Sequence, residues 1–168
     1  MMSEKIINNI AYLIHQICAI TGEKPGKTTL QRTVYLIQME GVDLGYTYKP
    51  HCYGVFSEDL DSAINLLIAD NIVHIEHKGR SQLMDIDSAY STASDFGKET
   101  EDKIERTIEK YKEKSASESG LLTATHYVNQ KLAGQDLPEI IRGVKKIVGT
   151  KCREEAINEA YMELLQGQ

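Results

Sequence analysis

The chain has 168 residues, 41% of them hydrophobic and 26% charged, with a formal net charge of −6. That length suits one ordinary domain or two small packed ones, and the apolar content excludes a wholly disordered chain. The acidic balance disfavours broad, sequence-independent nucleic-acid binding, which depends on neutralising phosphates, and no apolar run reaches the roughly 18 residues a membrane-spanning helix needs.

The opening residues MMSEKIINNI lack a basic region followed by a continuous apolar stretch, so no secretory signal is expected. Cys18, Cys52 and Cys152 are widely spaced and form no CxxC pair, so neither a disulfide framework nor a zinc site is expected, and the cytoplasm is the default location. From residue 4 to 20, Ile6, Ile10, Leu13, Ile14, Ile17 and Ile20 recur at the spacing of one helix face. Gly22, Pro25 and Gly26 end that pattern in a turn. A second helix is predicted from Thr28, with its hydroxyl as cap and Gln31 reaching back in a capping box. Leu30, Val34, Ile37 and Tyr35 form its apolar face, and Gly41 stops it.

The stretch GVDLGYTYKPHCYGVF reads as an extended or looped connection. Ser57 is a good N-cap, and Glu58 and Asp59 suit the positive end of a helix dipole. The third helix, about 57 to 71, would bury Leu60, Ala63, Ile64, Leu67 and Ile68. IVHIEH and QLMDID alternate by twos around Gly79-Arg80-Ser81, which predicts a β-hairpin. Three helices and a hairpin is the order of a winged helix. Beyond Asp95 the chain is highly charged with a thin seam of Ile104, Ile108 and Tyr111, and KSASESG (114–120) reads as a hinge or loop. Short helices follow near 121–132, from an Asp136 cap with Glu139 completing a capping box, and near 151–165. The expected fold is therefore mainly α, of the α+β kind: a winged-helix-like domain over 1–92, then a charged helix and helical module over 93–168, packed on the first.

Several stretches imitate known chemistry. GEKPGKT (22–28) looks like a phosphate-binding loop, but only three residues separate Gly22 from Gly26 where four are needed, and the preceding segment is helical rather than a buried strand. TGEKP looks like a zinc-finger linker without the two Cys and two His of a finger. Asp95-Phe96-Gly97 mimics a kinase magnesium motif in a chain with no kinase glycine loop or catalytic loop. His51 and Cys52 are neighbours on an extended segment and point apart, as do His74 and His77 on the predicted strand. A dyad of Cys52 with His126 has no support beyond the residue types. No catalytic residue, cofactor site or metal site is expected.

DNA binding is tested by charge. A groove-reading third helix presents Arg or Lys, yet residues 57–71 contain Glu58, Asp59, Asp61 and Asp70 and no cation. Lys78 and Arg80 at the hairpin turn are the candidate nucleic-acid contacts, with a second basic group at Arg142, Lys145 and Lys146.

Residues 27–73 carry a pattern of the form K-x-x-L-Q-[KR]-x-x-Y-L, then a Gly, a Tyr-rich extended segment, and Y-G-x-[FY]-S before an acidic helix start. Lys27, Leu30, Gln31, Arg32, Tyr35 and Leu36 make the first part; Tyr46, Tyr48, Tyr53, Gly54, Phe56, Ser57 and Leu60 make the second. This resembles the YwgA-like prokaryotic family and, more distantly over the first half only, the Panacea domain of SocA-like antitoxins. Val55 stands where Pro is common and Arg32 where Lys is commoner. The resemblance implies a helix-rich winged-helix-like fold and, for the Panacea relatives, neutralisation of toxin partners by protein–protein contact; it supplies no catalytic group. The expectation is a non-enzymatic, cytoplasmic protein-interaction module, antitoxin-like or adaptor, free of the membrane. Its unidentified protein partner would meet Gln31, Arg32, Tyr35, Tyr46, Tyr48, Tyr53 and Glu58, since aromatic and Arg side chains anchor interfaces. The alternative for the same residues is a packing corner. A DNA-binding regulator, with a homodimeric basic face, and an enzyme with a site among the Tyr, His and Cys residues of the loop are the competing functions.

Overall fold

A computed structural model describes residues 3–51 and 54–167. Among these residues the protein is mainly helical, of the α+β kind, with seven helices and two separate two-stranded antiparallel sheets. In chain order the elements are α1 Glu4–Thr21, α2 Lys27–Met39, β1 Lys49–His51, β2 Gly54–Phe56, α3 Glu58–Ala69, β3 Val73–Lys78, β4 Ser81–Ile86, α4 Lys98–Tyr111, α5 Ala116–Lys131, α6 Leu137–Val148 and α7 Glu154–Gln166. They form two compact units. One comprises the chain up to Thr47 together with Ser57–Glu113, and the other comprises Tyr48–Phe56 together with the chain from Lys114.

This division corrects the expected boundary at 92/93. Helix α4 packs on α1 and α2 through its buried Ile104 and Ile108, so it belongs with the first three helices, while β2 packs on α5 and α6. A composition shift at residue 93 marks the charged outer face of α4 and says nothing about where its apolar seam goes.

In the first unit the core draws Ile10, Leu13, Ile14 and Ile17 from α1, Leu30, Val34 and Ile37 from α2, and Leu60, Ile64 and Leu67 from α3, all buried. Ile6, placed on the same stripe by its spacing, is 41% exposed. Ser3 caps α1, and Gly22 closes it in the left-handed conformation (φ 79°) with its N–H on the Cys18 carbonyl. The expected hairpin forms, though its turn is Gly79-Arg80 alone and Ser81 belongs to the strand: Val73 lies opposite Ile86 and Lys78 opposite Ser81, with Val73 and Met84 buried.

The α1–α2 turn has a structural employment. The Met84 N–H donates to the Pro25 carbonyl at 2.7 Å, and a Cβ on Gly26 would lie 3.2 Å from the Gln82 carbonyl oxygen. A side chain at Gly26 would press on that carbonyl, so glycine eases the close approach of two backbones here. Lys24 pairs with Glu76 and Asp85 (2.6 and 2.9 Å), and Lys27 with Asp61 and Asn65 (3.5 and 2.5 Å). The phosphate-loop lookalike is the corner that docks the hairpin and α3.

The predicted capping box at Thr28 is not formed: α2 starts at Lys27 after Gly26, with no side-chain cap. Gln31 is 3% exposed, and its amide faces Ser57, which is 0% exposed. Ser57 N–H donates to Gln31 Oε1 (2.9 Å), and Gln31 Nε2 donates to the Ser57 carbonyl (2.8 Å). The exposed start of a helix can be solvated by water, whereas a buried extended peptide cannot, so the amide goes where the unmet need is larger. Two turns along α2, Gln38 repeats the arrangement on Tyr46, accepting from its N–H (2.9 Å) and donating to its carbonyl (3.0 Å). Ser57 also caps α3 through its hydroxyl, which accepts from Leu60 N–H.

In the second unit β1 and β2 pair Lys49 with Phe56 and His51 with Gly54, so part of the Tyr-rich stretch is a small hairpin. The His51 and Phe56 rings lie 4.9 Å apart. KSASESG, read as a hinge or loop, is largely helical: Ser115 and Glu118 form a reciprocal capping box and start α5. The core here is Val128, Ile140, Val144 and Ile157. Asp136 caps α6 by accepting from Glu139 N–H, as its position suggests, while the Glu139 carboxylate pairs with Arg142 and does not complete the expected capping box.

Two stability predictions follow from these contacts. Gln31→Leu strands the Ser57 N–H and leaves the Ser57 carbonyl with Asp61 N–H alone, and a loss of about 1–3 kcal/mol is expected in urea denaturation; a loss below about 0.5 kcal/mol would remove the clamp from this description. Gly143→Ala would place a Cβ 2.8 Å from Val128 Cγ1. Overpacking of about 1–3 kcal/mol should outweigh the roughly 1 kcal/mol gained in helix propensity, so the melting temperature should fall; a rise would mean that α5 and α6 separate at no cost.

Candidate functional site

The motif residues divide by exposure. Gln31 (3%), Tyr35 (8%) and Tyr48 (9%) are buried, so they act as framework and offer a partner almost no surface. Arg32 and Tyr46 are half-buried and Glu58 is exposed in the first turn of α3. Tyr53, and Cys52 with it, lies outside the described residues. Burial lowers the Arg32 guanidinium from its ordinary value. The Tyr46 phenol is pushed up to about 12, first by burial and then by the negative charge of Asp59. Tyr46 and the start of α3 therefore share one electrostatic neighbourhood. What the motif builds is a mount for α3, made by the Gln31 clamp, the Ser57 cap and the buried Leu60, Ala63, Ile64 and Leu67.

The outward face of α3 carries exposed Glu58, Asp59, Asn65, Leu66 and Asp70, with Leu66 half-exposed at 50%. Lys27 is paired with Asp61 at the edge of this face. Lys78 and Arg80 are exposed at the tip of the β3–β4 hairpin. In the other basic group, Arg142 pairs with Glu139 (2.7 Å) and Lys145 with Glu154 (3.3 Å), so only Lys146 of the three stands without a carboxylate in these pairs.

The first unit also holds an open cleft of about 540 Å³ that the sequence did not announce. Buried Ile10, Leu13 and Val42 form its base, and Ile6, Leu44 and Phe96 are at its rim. In the sequence, Gln38 stands seven residues after Gln31 and Asn9 adjoins the apolar stripe of α1, and neither by itself marks a cleft. A second cavity of about 300 Å³ is lined by His15 and Cys18, three apart on α1, with Asp85 and Asp87. His74 Nε2 and Asp87 Oδ2 lie 2.6 Å apart at the base of the hairpin, and that hydrogen bond holds the Asp87 carboxyl below its usual range. His126 is half-buried on α5, and burial lowers its pKa. Among the described residues no group of three His, Cys, Asp or Glu side chains is placed to hold a metal ion, and no helix is long and apolar enough to cross a membrane.

No protein-family model matches the chain, and no curated protein matches its sequence.

The α2 end carries a pH-dependent lock. Glu40 Oε1 accepts from Lys110 Nζ (2.7 Å) and from the Tyr111 hydroxyl (2.6 Å). Burial works to raise the Glu40 pKa, but the two hydrogen bonds and the Lys110 charge outweigh it and the net shift is downward. A carboxyl whose folded pKa is depressed stabilises above its unfolded value and loses that contribution as the pH falls through the folded value. Glu40→Gln should therefore be less stable than the parent at pH 7, and the gap should close as the pH drops below about 4.5. Denaturation curves across that range check it; a gap that is constant with pH would contradict the charge assignment.

Proposed function

We propose that this chain is a non-enzymatic protein-interaction module of the cytoplasm, in an antitoxin-like or adaptor role, that meets its partner across the outward face of α3. The observation that carries the reading is that face: Glu58, Asp59 and Asp70 around a half-exposed Leu66, with no Lys or Arg on the helix, mounted on the Gln31 clamp. Phosphate would be repelled by such a surface, whereas a basic protein surface with an apolar centre would complement it. Preorganisation favours the same reading, since a fixed helix has little ordering left to lose on association. The resemblance of residues 27–73 to the YwgA-like and Panacea patterns points the same way.

A transcription regulator is the second reading, and the exposed Lys78 and Arg80 at the hairpin tip favour it. It would hold the duplex by its wing while α3 faces away.

Capture from host lysate on the intact protein, with and without nuclease, separates the two. Leu66→Lys with Asp70→Lys alters the face at the C-terminal half of α3, where cations suit the helix dipole, so the fold should persist by circular dichroism. A nuclease-resistant protein lost at least tenfold in that variant is the expected result. Recovery that disappears with nuclease and falls steeply with salt would transfer the function to DNA.

A further inference from the structure

The cleft of the first unit has three walls, one helical and two of irregular backbone held by amide side chains. One is the start of α1, carrying Lys5, Ile6 and Asn9. The second is the extended segment Gly41–Tyr46, whose far end is clamped by Gln38. The third is the approach to α4, where Asp95 N–H donates to Asn9 Oδ1 (3.1 Å), Asn8 Nδ2 donates to Asp95 Oδ2 (3.0 Å), and the Phe96 ring meets Tyr12 edge-on at 5.9 Å. The walls are therefore set before any occupant arrives, and about 540 Å³ is within the range of ligand sites, roughly 300–1,000 Å³.

The chemistry of the lining selects an occupant. Ile6, Leu44 and Phe96 offer apolar contact, and Ile6 is 41% exposed although its helix stripe is otherwise core. Lys5 and Lys103 enter from α1 and α4, and among the described residues neither has an ion-pair partner, while Lys24, Lys27, Lys98, Lys110 and Lys112 of the same unit all do. Two carboxylates also line the cleft: Asp43 accepts from Gly45 N–H and Asp95 from Asn8. These repel a compact free anion. A peptide can turn an acidic side chain to the lysines and its own N–H groups to the aspartates.

We propose that this cleft receives a short peptide segment of another protein in which a Glu or Asp is flanked by apolar side chains. It is a second interaction surface, separate from α3 and of opposite charge preference, and it stands or falls independently of the α3 reading.

The test is selection of a random peptide library displayed on phage against the intact protein, followed by fluorescence anisotropy with the enriched peptide synthesised and labelled. Enrichment of acidic–apolar sequences is expected, with amide shifts in residues 5–13, 41–46 and 95–103 on binding. Lys5→Glu with Lys103→Glu should weaken the peptide at least tenfold, and so should Ile6→Asp. Both lysines are exposed on helices and Lys5 is in the first turn of α1, where an acid suits the dipole, so these variants should fold normally. Leu66→Lys should leave peptide binding unchanged. No enriched sequence, a consensus without an acid, affinity retained in the lysine double variant, or displacement by millimolar inorganic phosphate would each overturn the proposal.

Discussion

The two-point hydrogen bond between Gln31 and Ser57 is the constraint on which the first unit rests. Ser57 has no exposure to solvent, yet its peptide must break from extended chain into helix at that point. Its N–H has no place in the helical ladder and its carbonyl also serves Asp61. A primary amide carries a donor and an acceptor side by side, so one side chain can answer the peptide as a neighbouring β-strand would. Glutamate could only accept, and leucine could do neither. Gln38 treats Tyr46 in the same way two helical turns along, which places both amides on one face of α2. Between them they fix the points where the chain leaves the first unit and re-enters it.

Asn9 extends the same device to α1, holding the backbone of Asp95. Three amide side chains on two helices thereby stabilise irregular segments that have no sheet to join. The functional surfaces follow from this. The clamp at Ser57 presents α3 and its acidic face, and the clamps at Tyr46 and Asp95 set two walls of the cleft. The charges then assort: most lysines of the first unit are neutralised locally, leaving an acidic helix face, a basic hairpin tip and a mixed, apolar-floored cleft as distinct surfaces.

Much of the fold was legible because helices and hairpins announce themselves locally. The apolar spacing of α1 and α3, the Ser57 and Asp136 caps, and the Gly79-Arg80 turn are all short-range features, and each stands where it was expected. What was not legible is set by partners distant in the chain. Gln31 has the spacing of a capping box, but its real partner is 26 residues away. Ser115 and Glu118 sit in a Ser-rich stretch whose composition suggests a loop, although their spacing is a helix start. The assignment of α4 to the first unit depends on which face its Ile104 and Ile108 meet. The candidate site was legible as a motif and not as a surface, because tyrosines that look like interface anchors are equally good core: Tyr35 and Tyr48 are buried, while the exposed Ile6 was read as core.

Amide hydrogen exchange at Ser57 and Tyr46, followed by NMR in the native protein, tests the clamps most directly. If Gln31 and Gln38 hold these peptides as strand neighbours would, both N–H groups exchange only through larger opening events, as slowly as the helical amides of α2. Exchange of Ser57 at the rate of an open loop, with α2 still protected, would contradict the role given to Gln31 and with it the mounting of α3.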